Sequence, residues 1–175
     1  MNSSRSAFIL GLIVAAAVTR ILPHPWNFTP VGAVALFAGA HLRSRRRAYV
    51  VPLAAMLMSD LVIGLHPLMP VVYACFALTV GIGGVLRGRR TLLPIAGATL
   101  ASSVLFFVVT NFAVWALGGW YPLNLGGLIA CYVAGIPYFR NTLLGDALYT
   151  AVLFGGMALA ERAFPSLREV PARNA

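Results

Sequence analysis

Leu92-Leu93-Pro94-Ile95-Ala96-Gly97-Ala98-Thr99-Leu100-Ala101-Ser102-Ser103-Val104-Leu105-Phe106-Phe107-Val108-Val109-Thr110-Asn111-Phe112-Ala113-Val114-Trp115-Ala116-Leu117 contains no charged side chain. As a helix this stretch is about 39 Å long, enough to cross a hydrocarbon core of about 30 Å with tilt. Apolar segments of the same kind lie on both sides of it. Upstream are Ala7–Leu22, Val31–Leu42, Ala48–Leu65 and Val71–Leu86. Downstream are Leu125–Phe139 and Thr142–Ala160. A span takes roughly 20 residues. Val31–Leu42 is short for one and is expected to extend into the loop before it. Leu125–Phe139 is also short and carries Pro137.

Composition agrees. Of the 175 residues, 60% are hydrophobic and 10% charged, against about 45–50% and about 25% in soluble domains. A chain this short cannot hide so much apolar surface from water, so the expected solvent is lipid and the expected fold all-α, a polytopic membrane protein. Residues 1–164 form a single transmembrane domain, followed by a polar cytoplasmic tail, residues 165–175. The first segment, with Arg5 before it and Ala15–Ala17 near its end, has the outline of a signal peptide. The apolar runs that follow make it an uncleaved first helix.

The net charge of +9 comes from 13 arginines, without a lysine, against Asp60, Asp146, Glu161 and Glu169. The arginines sit in short clusters between apolar runs, which excludes a nucleic-acid surface and fits the positive-inside pattern. Arg43-Ser44-Arg45-Arg46-Arg47 and Arg87-Gly88-Arg89-Arg90 mark cytoplasmic loops of a bacterial inner-membrane protein. Six spans keep both termini cytoplasmic, with Arg5 at one and Arg162, Arg168 and Arg173 at the other. Seven would export the tail arginines. Leu125–Phe139 is therefore expected to be a half-inserted outer helix, giving six transmembrane helices plus one short outer half-helix.

This topology turns three loops outward: Pro23–Pro30, His66–Pro70 and Gly118–Asn124. Most of the unusual residues lie in or near them. Asp60, Arg20, Arg140, Asn141 and Asp146 fall in one outer layer. An ionisable group in hydrocarbon costs at least about 2.5–3.5 kcal/mol, so mutual pairing or a wet cavity is expected. Arg20 and Arg140 either neutralise Asp60 and Asp146 or line a pocket with them. Pro23-His24-Pro25-Trp26-Asn27-Phe28-Thr29-Pro30 is rigid and aromatic enough for a preformed lid. Cys75, in Tyr73-Ala74-Cys75-Phe76, is either a small buried hydrophobe or a soft metal ligand inside a cofactor-like substrate. Cys131 reads as packing, and a Cys75–Cys131 disulfide is open. His24 and His66 have no partner at zinc spacing. There is no nucleotide-binding motif, serine elbow or HExxH. Ala7-x-x-x-Gly11-x-x-x-Ala15 is a small-residue ladder that lets another helix approach.

Arg20–Pro25, Asn27–Ala33, Pro52–Asp60 and Phe139–Asp146 resemble an uncharacterised family of small bacterial membrane proteins, over about Arg20 to Ala160. Size and helix count are similar to the substrate-binding S components of energy-coupling-factor (ECF) vitamin transporters. That resemblance implies a vitamin pocket near the outer face, capped by the first external loop. It also implies partners: a separate ECF membrane subunit and ATPases, which the Ala7/Gly11/Ala15 face would receive. In the solitary cobalamin S components (BtuM), a helix cysteine ligates cobalt and removes cyanide, with His, Asp and Arg nearby. His24, Asp60, Cys75 and Arg140 occur here in that order.

The expected function is thus binding and uptake of a small vitamin-like molecule, with no permanently bound cofactor. Asp60, Arg140, Asn141 and Asp146 form the polar wall; His24, Trp26 and Asn27 form the lid; Tyr73 and Cys75 lie beside them. The resemblance makes cobalamin the specific substrate, with Cys75 as its cobalt ligand. The rival is a scaffold protein whose charges are structural. As an enzyme, the chain offers one pair, Cys75 with His24.

Overall fold

The computed structural model of the chain describes residues 3–168. Among the described residues there are six α-helices: α1, Ser3–Val18, prolonged by a 3-10 turn over Thr19–Ile21; α2, Val31–His41; α3, Arg45–Ile63; α4, Met69–Val85; α5, Leu92–Leu117; and α6, Leu125–Ala163. A 3-10 turn, Pro165–Leu167, follows α6. Three helices are long and apolar enough to cross a membrane: Ser3–Ile21, α5 and α6. The outward side chains are apolar too, among them Val62, Val85, Val133 and Leu159, each more than half exposed.

The expected extension of Val31–Leu42 into the preceding loop is not formed. The helix starts at Val31 after Pro30, because a segment carrying Pro23, Pro25 and Pro30 lacks the N–H groups that a helix needs. α2 is only about 16 Å long, and every residue in it except Gly32 is buried. A helix that is apolar all round belongs in an interior. The other five helices pack around it.

The expected outer half-helix is also absent. Leu125–Phe139 runs without a break into Thr142–Ala160, and both are parts of the 39-residue α6. Pro137 lies inside it. A proline costs one backbone hydrogen bond, which neighbouring groups in a helix bundle make good. The pair Arg140-Asn141, which marked a helix start in the sequence, is two polar residues in mid-helix. α6 is about 58 Å long, nearly twice the thickness of a hydrocarbon core.

The start of the expected polar tail is fastened to the bundle. Leu167 is buried, and its carbonyl accepts from Arg5 Nε at 2.9 Å. Arg5, itself 2% exposed, pairs with Glu161 at 2.8 Å. This clamp ties the first turn of α1 to the last turns of α6. Residues 169–175, with Glu169 and Arg173, lie outside the described residues.

α2 and α4 approach most closely, at glycines. A Cβ on Gly39 would strike the Val80 carbonyl, and one on Gly83 the Leu36 carbonyl. Gly84, the next residue, faces open space. Overpacking a tight contact costs about 1–3 kcal/mol. Gly83→Ala is therefore expected to lower the melting temperature in mild detergent by several degrees, or to prevent folding. Gly84→Ala should melt with the wild type. Equal melting of the two variants would contradict the glycine contact.

Candidate functional site: a cavity under three loops and a chamber at Asp146

The helix order gathers three loops, residues 22–30, 64–68 and 118–124, at one end of the bundle. The arginine-rich connections lie at the other end. The first loop is held down by one face of α6. Asn141, Gly145 and Tyr149 recur every four residues, so they share that face. Asn141 Nδ2 donates to the Trp26 carbonyl at 2.9 Å. Gly145 leaves room for the Phe28–Thr29 backbone, which would lie 3.2–3.3 Å from a Cβ there. The Tyr149 ring packs on Phe28 with centroids 6.1 Å apart. Asn27 has φ 60°, a left-handed conformation that Asn adopts more readily than most residues.

Beside this stripe, Asp146 accepts the Ser103 hydroxyl at 2.7 Å and the backbone N–H of Ala33. Gly32 lies against the carboxylate, where no Cβ would fit. Pro30, at the N-cap of α2, offers no side-chain cap. Asp146 therefore caps α2 from another helix, with its charge at the positive end of the helix dipole. It is 5% exposed.

Asp60 is satisfied separately. It pairs with Arg20 at 2.6 Å and accepts from Tyr73 Oη at 2.7 Å. Arg20 also donates to the Met56 carbonyl at 3.2 Å and to Ser59 Oγ. Arg140 does not neutralise an acid. It is exposed and forms no ion pair with Asp60 or Asp146. Six residues of helix rotate it about 240° from Asp146, so the two point to different sides of α6.

The expected polar wall of Asp60, Arg140, Asn141 and Asp146 is thus dispersed over four environments. The structure instead brings together the three loops. Trp26 and Asn27 from the first, His66 from the second, and Trp120 and Tyr121 from the third line one cavity with Asn111, of about 500 Å³. Below it, Asn27, Thr79, Ser102, Phe106, Thr142 and Asp146 line a chamber of about 40 Å³. Asn27 and Phe106 belong to both. Phe106 packs on Phe76, another residue of the chamber lining, with centroids 5.2 Å apart.

Of the expected lid, Trp26 and Asn27 line the upper cavity; His24 lines neither space. Its ring lies 3.0 Å from the carbonyls of Arg20 and Pro25. Cys75 is 1% exposed and also lines neither. Cys131 lines the upper cavity, and its Sγ donates to the Asn111 carbonyl at 3.4 Å. Both cysteines are free. No group of three His, Cys, Asp or Glu could hold a metal among the described residues.

The sequence reading passed over Thr79, Ser102 and Thr142. A signal was present in Thr99-x-x-Ser102-Ser103, three hydroxyls on adjoining faces of an otherwise apolar helix.

A family model described as a family of unknown function (DUF6580) matches residues 1–167. No curated protein and no solved structure matches the chain.

The two arginines near the acids should behave differently. Arg20→Ala leaves the buried Asp60 carboxylate without its cation, which typically costs about 3–5 kcal/mol. Arg140→Ala removes an exposed side chain and should cost under about 0.5 kcal/mol. Thermal melting in mild detergent reads the difference; equal losses for the two would contradict the Arg20–Asp60 assignment.

Proposed function

The chain belongs to the DUF6580 family, and from that premise we propose that it is a multi-pass inner-membrane protein that binds a small vitamin-like molecule under its three loops and supports its uptake. One observation carries the reading: three loops far apart in sequence converge on a single cavity of about 500 Å³. Ligand pockets run from about 300 to 1,000 Å³ and combine apolar walls with a few placed polar groups. Here Trp26, Trp120 and Tyr121 supply the wall, and His66, Asn27 and Asn111 the polar groups.

In the membrane reading, Arg43–Arg47 and Arg87–Arg90 face the cytoplasm by the positive-inside rule, which turns the cavity outward. Ser3–Ile21, α5 and α6 span; α2 is enclosed by protein and has no need to reach both surfaces. The chain has no nucleotide motif, so active uptake needs a powered partner. Ala7, Gly11 and Ala15 are exposed on α1, and nothing lies within 4 Å of a Cβ placed on Gly11. This is the face we assign to an ECF-type membrane subunit.

The resemblance to solitary cobalamin S components adds cobalamin, bound through Cys75. The position of Cys75 favours a smaller ligand, because a corrin would have to open the packing around a buried thiol before its cobalt could reach sulfur.

The test is what copurifies. Wild-type protein extracted in mild detergent is expected to carry a small molecule detectable by mass spectrometry, and Asn111→Leu, which replaces one of the cavity's polar groups with an apolar one, is expected to lose it. A wild type that carries nothing above the Asn111→Leu level would overturn the pocket. Cyanocobalamin added to the wild type and to Cys75→Ser decides the narrower reading: unchanged visible spectra in both remove cobalamin and leave the cavity in place.

A further inference from the structure

The chamber below the cavity has a chemistry of its own. Its lining is one-sided in hydrogen bonding. Thr79 gives its hydroxyl hydrogen to the Cys75 carbonyl at 3.0 Å. Thr142 gives its own to the Tyr138 carbonyl at 3.0 Å. A hydroxyl has one hydrogen and two lone pairs, so both oxygens are left as acceptors only. Asp146 adds a carboxylate. Ser102 Oγ is buried and has no hydrogen-bond partner, although Ser102 lines this space. A buried hydroxyl without a partner is uncommon and calls for one.

The charge points the same way. Asp60 has Arg20 beside it. Asp146 has a hydroxyl and a backbone N–H, but no cationic side chain among the described residues. In a low-dielectric surround, a carboxylate without a counter-charge is expensive.

We propose that the chamber is a binding site for one small monovalent cation, held by the Asp146 carboxylate and the hydroxyl oxygens of Ser102, Thr79 and Thr142. Oxygen donors with one formal negative charge suit a hard alkali ion or a primary ammonium group, and they offer nothing soft for a transition metal. About 10–15 Å³ of such space admits a water. The chamber's 40 Å³ therefore takes a small ion with a water or two, or the tip of an amine reaching down past Phe76 and Phe106, whose ring faces attract cations. The site goes beyond the reading of the upper cavity and does not rest on it, since a free ion needs no larger ligand above it.

The experiment uses the full chain in mild detergent at constant ionic strength, with N-methyl-D-glucamine chloride replaced stepwise by sodium chloride or by methylammonium chloride. Binding to the folded state raises the melting temperature in step with RT ln(1 + L/Kd), L being the free cation concentration, so the concentration dependence gives Kd. A sodium response identifies a free ion, and a response to methylammonium alone identifies the ammonium end of a ligand; either supports the site. Asp146→Asn keeps an oxygen for the Ala33 N–H but removes the charge at the end of the α2 dipole together with the proposed ligand, so Ser102→Ala is the informative variant. Ser102 has no partner to lose, so Ser102→Ala should melt like the wild type in N-methyl-D-glucamine. Its apparent Kd for the cation should rise about tenfold, the effect of losing one good ligand contact. If neither cation raises the melting temperature above N-methyl-D-glucamine, or if Ser102→Ala gives the wild-type Kd, the chamber holds water and the proposal fails.

Discussion

A helix wholly enclosed by protein must find partners for both of its ends, and α2 is such a helix. The first N–H groups and last carbonyls of any helix lack partners within it. At a surface, water supplies them. For an 11-residue helix buried along its length, the neighbours must. At the N-terminus the partner is Asp146 of α6, which reaches the Ala33 N–H. At the C-terminus it is Arg87, just beyond α4, whose guanidinium donates to the carbonyls of Gly39 at 2.9 Å and Leu42 at 2.8 Å. An anion at the positive end and a cation at the negative end also match the dipole. Two charged residues far apart in sequence thereby set the height of α2 in the bundle.

Much else follows from that placement. α4 can come close enough for Arg87 to reach because Gly39 and Gly83 bring the two backbones together. α6 must present Asp146 to α2, which fixes its rotation and sends Asn141, Gly145 and Tyr149 toward the first loop. That loop is then held by its own backbone at Trp26, Phe28 and Thr29, while Trp26 and Asn27 remain at the cavity. The loop is aromatic and proline-rich, as a lid needs to be, but its position is fixed by Asn141, Gly145 and Tyr149 of a helix more than a hundred residues away.

What was legible in the sequence was what depends on composition along the chain. The all-helical class, the seven apolar stretches and the concentration of polar residues near three loops could all be read from hydropathy and charge. What escaped depends on neighbours. Arg140-Asn141 looked like a boundary because two polar residues interrupted an apolar run, yet neither residue breaks a helix, and Asn141 had a carbonyl to meet. Leu125–Phe139 looked like a separate half-helix because length and charge parity required one. A single long α6 meets the same parity. Pairing of Arg20 and Arg140 with the two acids was one of two readings the sequence left open; Arg20 does pair with Asp60, but with 40 positions between them and a 3-10 turn over Thr19–Ile21 no helical periodicity separated that pair from Arg140 with Asp146. Ser102 was overlooked because a lone hydroxyl in an apolar helix usually bonds back to its own backbone, as Thr99 and Ser103 do here.

The two buried acids show how one residue type serves different ends. Asp60 accepts an arginine and a tyrosine hydroxyl, a closed set that holds α1, α3 and α4 in register at the loop end. Charge and hydrogen bonds balance there, and removing either partner would leave a defect. Asp146 is only half balanced. Its hydrogen bonds tie α2, α5 and α6 together, but its charge meets only a helix end and a hydroxyl. An enclosed bundle needing no more than a cap for α2 could have used an asparagine or a serine, both good caps and both uncharged. A carboxylate at that position adds a negative charge to a chamber already lined with acceptors, next to the loop cavity. Its cost in a low-dielectric interior is accounted for once that charge has a partner arriving from the loop side.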